Sequence, residues 1–319
     1  MFSSIQTRRT FLGMGTAALL LTVTACSGGA GAAEQNADKL RVGYFPLVHT
    51  STAVNADKSE IFKKNDIEVE LVQTQGGATA IPALVSGDID ITYTNYTSVL
   101  LAAHQGIPLT LVSGNDVGAD DHGIFVNKDS GIKTIADLKG KTFAVNNLQN
   151  IGTIAITSLL LDAGLTRDDV KIIEMPYPDM QGALDSGVAD AIWQVEPFQA
   201  SAKAGGFTKI GNLFSGPVAD MPVAGWVTTK KFADEHPEEI KAFQKSIADS
   251  SAELQGDRAA LTELVPTFTK VTAEVVGKIE MPVFTGELDQ AQLTKSAELM
   301  HEYGIINKPL DISTLLPAK

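Results

Sequence analysis

Six short segments hold the side chains with which this chain could do chemistry: residues 45–50 (FPLVHT), 74–79 (TQGGAT), 94–97 (TNYT), 146–153 (NNLQNIGT), 176–180 (PYPDM) and 194–198 (QVEPF). None contains a lysine or arginine. Around them stand His49, Thr50, Thr79, Asn95, Tyr96, Asn147, Thr153, Tyr177, Trp193 and Glu196, with Gly76, Gly77 and Gly152 at the starts of helical runs. This set suits holding a small molecule. Backbone N–H groups at helix starts bind an anionic head group, with Asn and Thr side chains helping. Trp193 is placed to wall a ligand, whereas Phe45 and Phe198 read as core fillers. Several roles stay open: Gly76 and Gly77 allow close backbone approach or form a plain turn. Glu196 accepts a ligand N–H or caps a helix. His49 caps a helix start or touches ligand, and Asp179 reads as a cap. Carboxylates and aromatics without cations favour a nitrogen-bearing ligand over a bare oxyanion. No catalytic group is assigned. His49, His104, His122, His236 and His301 show none of the close spacings of a zinc site, so neither a metal nor a cofactor is expected.

The elements that must position these residues alternate. β-rich runs at 40–45, 67–73, 89–94, 109–114, 123–127, 141–146, 170–175 and 190–195 are separated by helical runs that mostly stop on glycine or asparagine. Such alternation means βαβ units and mostly parallel sheet. From Pro237 onward the chain reads helical. One internal echo decides the architecture: ALVSGDIDITYT begins at Ala83 and ALDSGVADAIWQ begins at Ala183. A unit built twice implies two lobes, each delivering loops at strand carboxyl ends, where open parallel sheets bind ligands.

The 319 residues carry 25 basic and 38 acidic side chains, a net charge of −13, which leaves no basic stripe for phosphates and excludes nucleic acid as a partner. The single cysteine, Cys26, precludes an internal disulfide. It ends a run that starts with Arg8 and Arg9 and continues through an apolar stretch too short for a permanent span. V-T-A-C resembles a lipobox, and T-R-R-T-F-L resembles a twin-arginine export signal. Residues 1–25 are therefore expected to be a signal peptide. Residues 26–38 would form a flexible tether with lipid on Cys26, which would anchor the exported protein on the outer face of the cell membrane or in the periplasm.

Residues 39–245 resemble the solute-binding proteins of ABC importers, in the nitrate/sulfonate/taurine branch related to thiamine-pyrimidine binders of the NMT1/THI5 type. The resemblance runs through LRVGYFPLVHTSTAVNADKSEIFKKNDIEVELVQTQGG, LLAAHQGIPLTLV, GIKTIADLKGKTFAVN, VADAIWQVEPF and GWVTTKKFADEHPEEIKAF. It implies a type II periplasmic-binding fold: two α/β lobes, a ligand cleft between them and two crossing strands. Lobe 1 would take 39–121 and 228–319 and lobe 2 would take 122–227, with GIFVN and GWVTT side by side through the hinge. The implied partners are a small-molecule solute, captured by lobe closure, and an ABC permease with its ATPase. An aliphatic sulfonate or taurine is the first expectation for the solute. A thiamine-precursor pyrimidine or nitrate is the alternative, as is an enzyme of the pyrimidine-synthase-like fold. That enzyme would need a cysteine-rich segment, which Cys26 alone does not supply.

Overall fold

The computed structural model describes residues 39–317, so the expected signal peptide, the expected tether and Cys26 lie outside the described residues. Among the described residues, eleven strands form two sheets. β1 (Leu40–Tyr44), β2 (Val69–Gln73), β3 (Ile91–Asn95) and β4 (Leu109–Val117) open the first sheet. The second sheet consists of β5 (His122–Val126), β6 (Thr142–Val145), β7 (Lys171–Glu174), β8 (Ala191–Val195) and β9 (Thr208–Asn212). The chain then returns through β10 (Pro222–Thr229) and later β11 (Val283–Phe284). Spatial order is β11-β4-β10-β3-β1-β2 in the first sheet and β7-β6-β8-β5-β9 in the second. The βαβ units pair in parallel, β2 with β1 and β1 with β3, then β7 with β6 and β6 with β8. Strands also run against them, β10 and the short β11 in the first sheet and β5 in the second.

Here the structure corrects the expected hinge. GIFVN lies in β5 and pairs with β8 and β9, while GWVTT lies in β10 and pairs with β3 and β4. They never meet. β10 belongs to the first sheet from Pro222 on, so the return to lobe 1 comes at residues 213–221 and not at 228. The segments that do touch are 118–121 and 213–221: the Gly118 N–H donates to the Met221 carbonyl at 2.8 Å. A Cβ at position 118 would overlap the Phe214 ring, so only glycine lets the two crossings pack this closely.

The repeated phrase folds twice into one unit. Helix Gly77–Ser86 ends on Gly87 at φ 80° and helix Tyr177–Ser186 ends on Gly187 at φ 71°, each the left-handed cap that glycine adopts without steric cost. Asp90 and Asp190 then tie each strand to its neighbour. Each accepts a backbone N–H, from Arg41 at 2.8 Å and from Thr142 at 2.9 Å, and each donates its own N–H back to that residue's carbonyl. Helix Ile151–Asp162 buries Ile151, Ile154, Ile156, Leu159 and Leu160 and is apolar nearly all round, as a helix enclosed by a core must be. Helix Pro237–Leu254 has one buried stripe, including Ile240, Phe243, Ile247 and Leu254. Pro237 opens it, and Glu238 and Glu239 complement the dipole in its first turn.

Candidate functional site

A small cavity lies between the two sheets. Lobe 1 contributes Phe45 and His49 from the segment after β1, Gly76, and Tyr93, Thr94 and Asn95 from the end of β3. Lobe 2 contributes Asn146, Asn150 and Ile151 after β6, Tyr177 after β7, and Trp193 and Val195 from β8. His122, Val223 and Ala224 come from the start of β5 and of β10. Carboxyl ends of strands from both sheets thus converge on one space, as the geometry of parallel sheets dictates. An outer cleft continues past Gln75, Thr79, Asn147 and Glu174 to Phe268 and Lys270 of the last third.

Of the residues anticipated from sequence, His49, Gly76, Asn95, Tyr177 and Trp193 line the inner cavity, and Thr79 and Asn147 line the outer cleft. Gly77 begins the helix behind Gly76, which brings no side-chain cap to that helix's first N–H groups. Others stand behind the wall. The Thr50 hydroxyl donates to the carbonyls of Phe45 and Leu47 at 2.7 and 3.0 Å and closes a turn. Tyr96 is buried in lobe 1. Gly152 and Thr153 sit in the first turn of helix Ile151–Asp162, where a Cβ on Gly152 would overlap the Trp193 ring. Gly152 therefore serves the site by making room for the tryptophan. Asp179 is exposed, and Pro176 takes the cap position ahead of it.

Glu196 is the main correction. It is fully buried, and its carboxylate accepts three hydrogen bonds: from Gln199 Nε2 at 2.9 Å, from the Ala200 N–H at 3.0 Å and from the Glu280 N–H at 3.0 Å. Burial raises its pKa and these bonds pull it down. The carboxylate caps helix Phe198–Ala204 and pins the Glu280 loop, so it is directed at the scaffold and not at a ligand.

Sequence spacing missed the polar cluster at the inner end of the cavity. His49 Nε2 lies 2.6 Å from Asp121 Oδ2, and His122 Nε2 lies 3.8 Å from the same oxygen. The partners are 72 residues apart in the chain, so only the fold could join them; the D-D-H run at 120–122 beside the crossing was the available signal. Asp116 stands nearby, with its Oδ1 accepting from the Tyr93 hydroxyl at 2.9 Å and from Asn115 Nδ2 at 2.8 Å. Burial alone would lower the His49 pKa, but Asp116, Asp121 and Glu196 outweigh it and raise it to about 9. Burial lowers His122 to about 4 against the pull of Asp121, and raises Asp116 to about 6 against the pull of His49. Burial would raise Asp121, yet the two histidines hold it below the ordinary carboxylate value. Near neutrality His49 is a cation paired with Asp121, and His122 is neutral. The inner lining then carries one charged group, neutralised from behind, and a set of neutral donors. Trp193 supplies one of these: its ring stacks on His122 at 5.8 Å and meets Tyr177 edge-on at 5.4 Å, and its Nε1 has no partner.

Comparison with known proteins agrees with this architecture. The putative aliphatic sulfonates-binding protein of Bacillus subtilis is 24% identical over 81% of this chain and 78% of its own length. The taurine-binding periplasmic protein of Escherichia coli is 25% identical over 68% of this chain and 67% of its own. Both are named as binding proteins and not as enzymes. Among solved structures, the alkanesulfonate-binding protein SsuA of Xanthomonas axonopodis pv. citri, bound to MOPS, superposes with a TM-score of 0.75 at 19% identity, covering 88% of this chain and 98% of its own. Its fold is the two-lobed periplasmic-binding fold found here. The family model described as NMT1/THI5 like matches residues 49–257, and the chain belongs to that family.

Proposed function

We propose that the chain is the extracytoplasmic solute-binding component of an ABC importer, closing its two lobes on an aliphatic sulfonate or taurine and presenting it to a permease driven by a separate ATPase. The observation that carries this is the lining of the inner cavity: neutral donors and aromatic faces, with His49, paired to Asp121, as its charged group and no lysine, arginine or carboxylate. A sulfonate head finds N–H and O–H donors at Trp193, Asn95, Asn150 and Thr94 and at the uncapped helix start behind Gly76, and its alkyl part finds Phe45, Ile151 and Val195. The names of the curated relatives point the same way. With Glu196 turned into the scaffold, the case for a nitrogen-bearing ligand that rested on it falls away. The aromatic faces of Phe45, Tyr177 and Trp193 favour a second reading, a flat heteroaromatic solute such as a thiamine-precursor pyrimidine.

A thermal-shift panel of ethanesulfonate, taurine, nitrate, an aminopyrimidine and riboflavin tests this. A true ligand at a hundred times its Kd stabilises by about 2.7 kcal/mol. Ethanesulfonate or taurine is expected to do so and nitrate is not. A shift with the aminopyrimidine or riboflavin alone would overturn the sulfonate reading.

The same proposal includes lipid on Cys26, which holds the binding body at the membrane. Among the described residues no helix is long and apolar enough to cross a membrane. Cys26→Ser should abolish labelling by radioactive palmitate; a labelled variant would show that the anchor is elsewhere.

A further inference from the structure

His49, Asp121 and His122 are each almost wholly buried, and one ligand atom from each lies within 4.8 Å of the others. Two of the three side chains, His49 and His122, also line the inner cavity. Both ring nitrogens of His122, Nδ1 of His49 and Oδ1 of Asp121 have no hydrogen-bond partner. Buried polar atoms are nearly always paired, so His122 Nε2, the orphan that faces the His49–Asp121 pair, needs an occupant. From this we infer that the inner end of the cleft is a binding site for a divalent transition-metal cation of the zinc class, held by His49, Asp121 and His122.

The chemistry of the donors selects the ion. Two imidazoles and one carboxylate suit zinc or cobalt and not calcium or magnesium, which take oxygen ligands. Donors of a tetrahedral zinc site stand about 3.3 Å apart, given metal–ligand bonds of about 2.0–2.1 Å. The observed 2.6 Å between His49 and Asp121 must open, and the 3.8 Å between Asp121 and His122 must close, each by about half an ångström or a little more. The cation takes the place of the proton that His49 and Asp121 share. Three protein ligands leave a fourth position facing the cavity, which is the arrangement of a site that accepts an exchangeable ligand. The ion would thus sit at the crossing between β4 and β5, bridging His49 of lobe 1 to Asp121 in the crossing and His122 at the start of β5.

Protein carrying Cys26→Ser, so that no thiol competes, is stripped with EDTA and dialysed against Zn2+ and separately against Co2+. One equivalent of each is expected to bind. Co2+ should give the strong visible absorption of a four- or five-coordinate site, and two paramagnetically shifted exchangeable imidazole N–H signals by NMR. His122→Gln and Asp121→Asn should each weaken Zn2+ binding by about tenfold or more, while His236→Ala, at an exposed histidine, should leave it unchanged. The inference is overturned by the absence of stoichiometric binding, by fewer than two shifted imidazole signals, or by binding that follows His236 instead of His122. The cobalt spectra decide the matter without any variant at the site. Metal binding is read in the absence of solute, so failure of the sulfonate proposal leaves this result unaffected.

Discussion

Residues 83–95 and 183–196 begin as copies and end as opposites. Both turn on a left-handed glycine, both clamp the next strand through an aspartate, and both place an aromatic, Tyr93 or Trp193, on the cavity at the same offset. In the first copy the aromatic is tied down: the Tyr93 hydroxyl donates to Asp116. In the second the Trp193 N–H is free. Two residues past the first aromatic and three past the second, the copies diverge further. Asn95 caps helix Tyr96–His104, accepting from the Ser98 N–H at 2.9 Å, and still lines the cavity. Glu196 caps helix Phe198–Ala204 from within the core and lines nothing. A duplicated backbone thus supplies two equivalent platforms, and the side chains divide the work between a rigid wall and an open donor.

The strongest way to break this contrast is at Glu196. Glu196→Ala strands three donors in the core and should cost about 3–4 kcal/mol in urea unfolding, with the affinity of the remaining folded protein for its solute unchanged. A variant of wild-type stability with altered solute selectivity would restore Glu196 to the cleft.

The next largest effect belongs to the tied-down copy, where Tyr93 and Asp116 stand beside His49. A pKa raised to about 9 in the fold against about 6.5 unfolded means the folded state binds the extra proton. The resulting stability is fully present below pH 6.5 and is lost as pH rises through 9. It amounts to about 3 kcal/mol. The groups facing His49 are Asp116, Asp121, Glu196 and His122, and Asp116, at about 6, lies just below that window. In EDTA-treated protein the stability difference between wild type and His49→Gln should shrink across pH 6.5–9. A difference independent of pH would mean that His49 is neutral.

The smallest effect sharpens the contrast from the open copy. Gly152→Ala drives a methyl group into the Trp193 ring and should cost about 1–3 kcal/mol in stability. Because Trp193 lines the cavity and its ring must shift, solute affinity should fall as well, by calorimetry. Unchanged affinity would place Trp193 among the walls, like Tyr93.

Alternating strand and helix runs, glycine stops and the Ala83/Ala183 echo are local features, and for that reason the fold class and the convergence of strand ends were legible in the chain alone. So were the cavity residues that stand directly at those ends, His49, Asn95, Tyr177 and Trp193, because a period of two and a known strand direction place them. Pairing between distant strands is not written locally, and the hinge was misassigned for that reason: β5 and β10 both look like crossing strands, and only the sheet order shows that each stays in its own lobe. Glu196 was ambiguous because a carboxylate at a helix start caps equally well from either side, and the Glu280 loop that turned it inward lies 84 residues away. Of the His49, Asp121 and His122 cluster, the sequence shows only the adjacent Asp121 and His122; His49 lies 72 residues from Asp121. Burial and tertiary contact bring those groups together and set their charges, because desolvation and Coulomb interaction depend on distance in space and not along the chain.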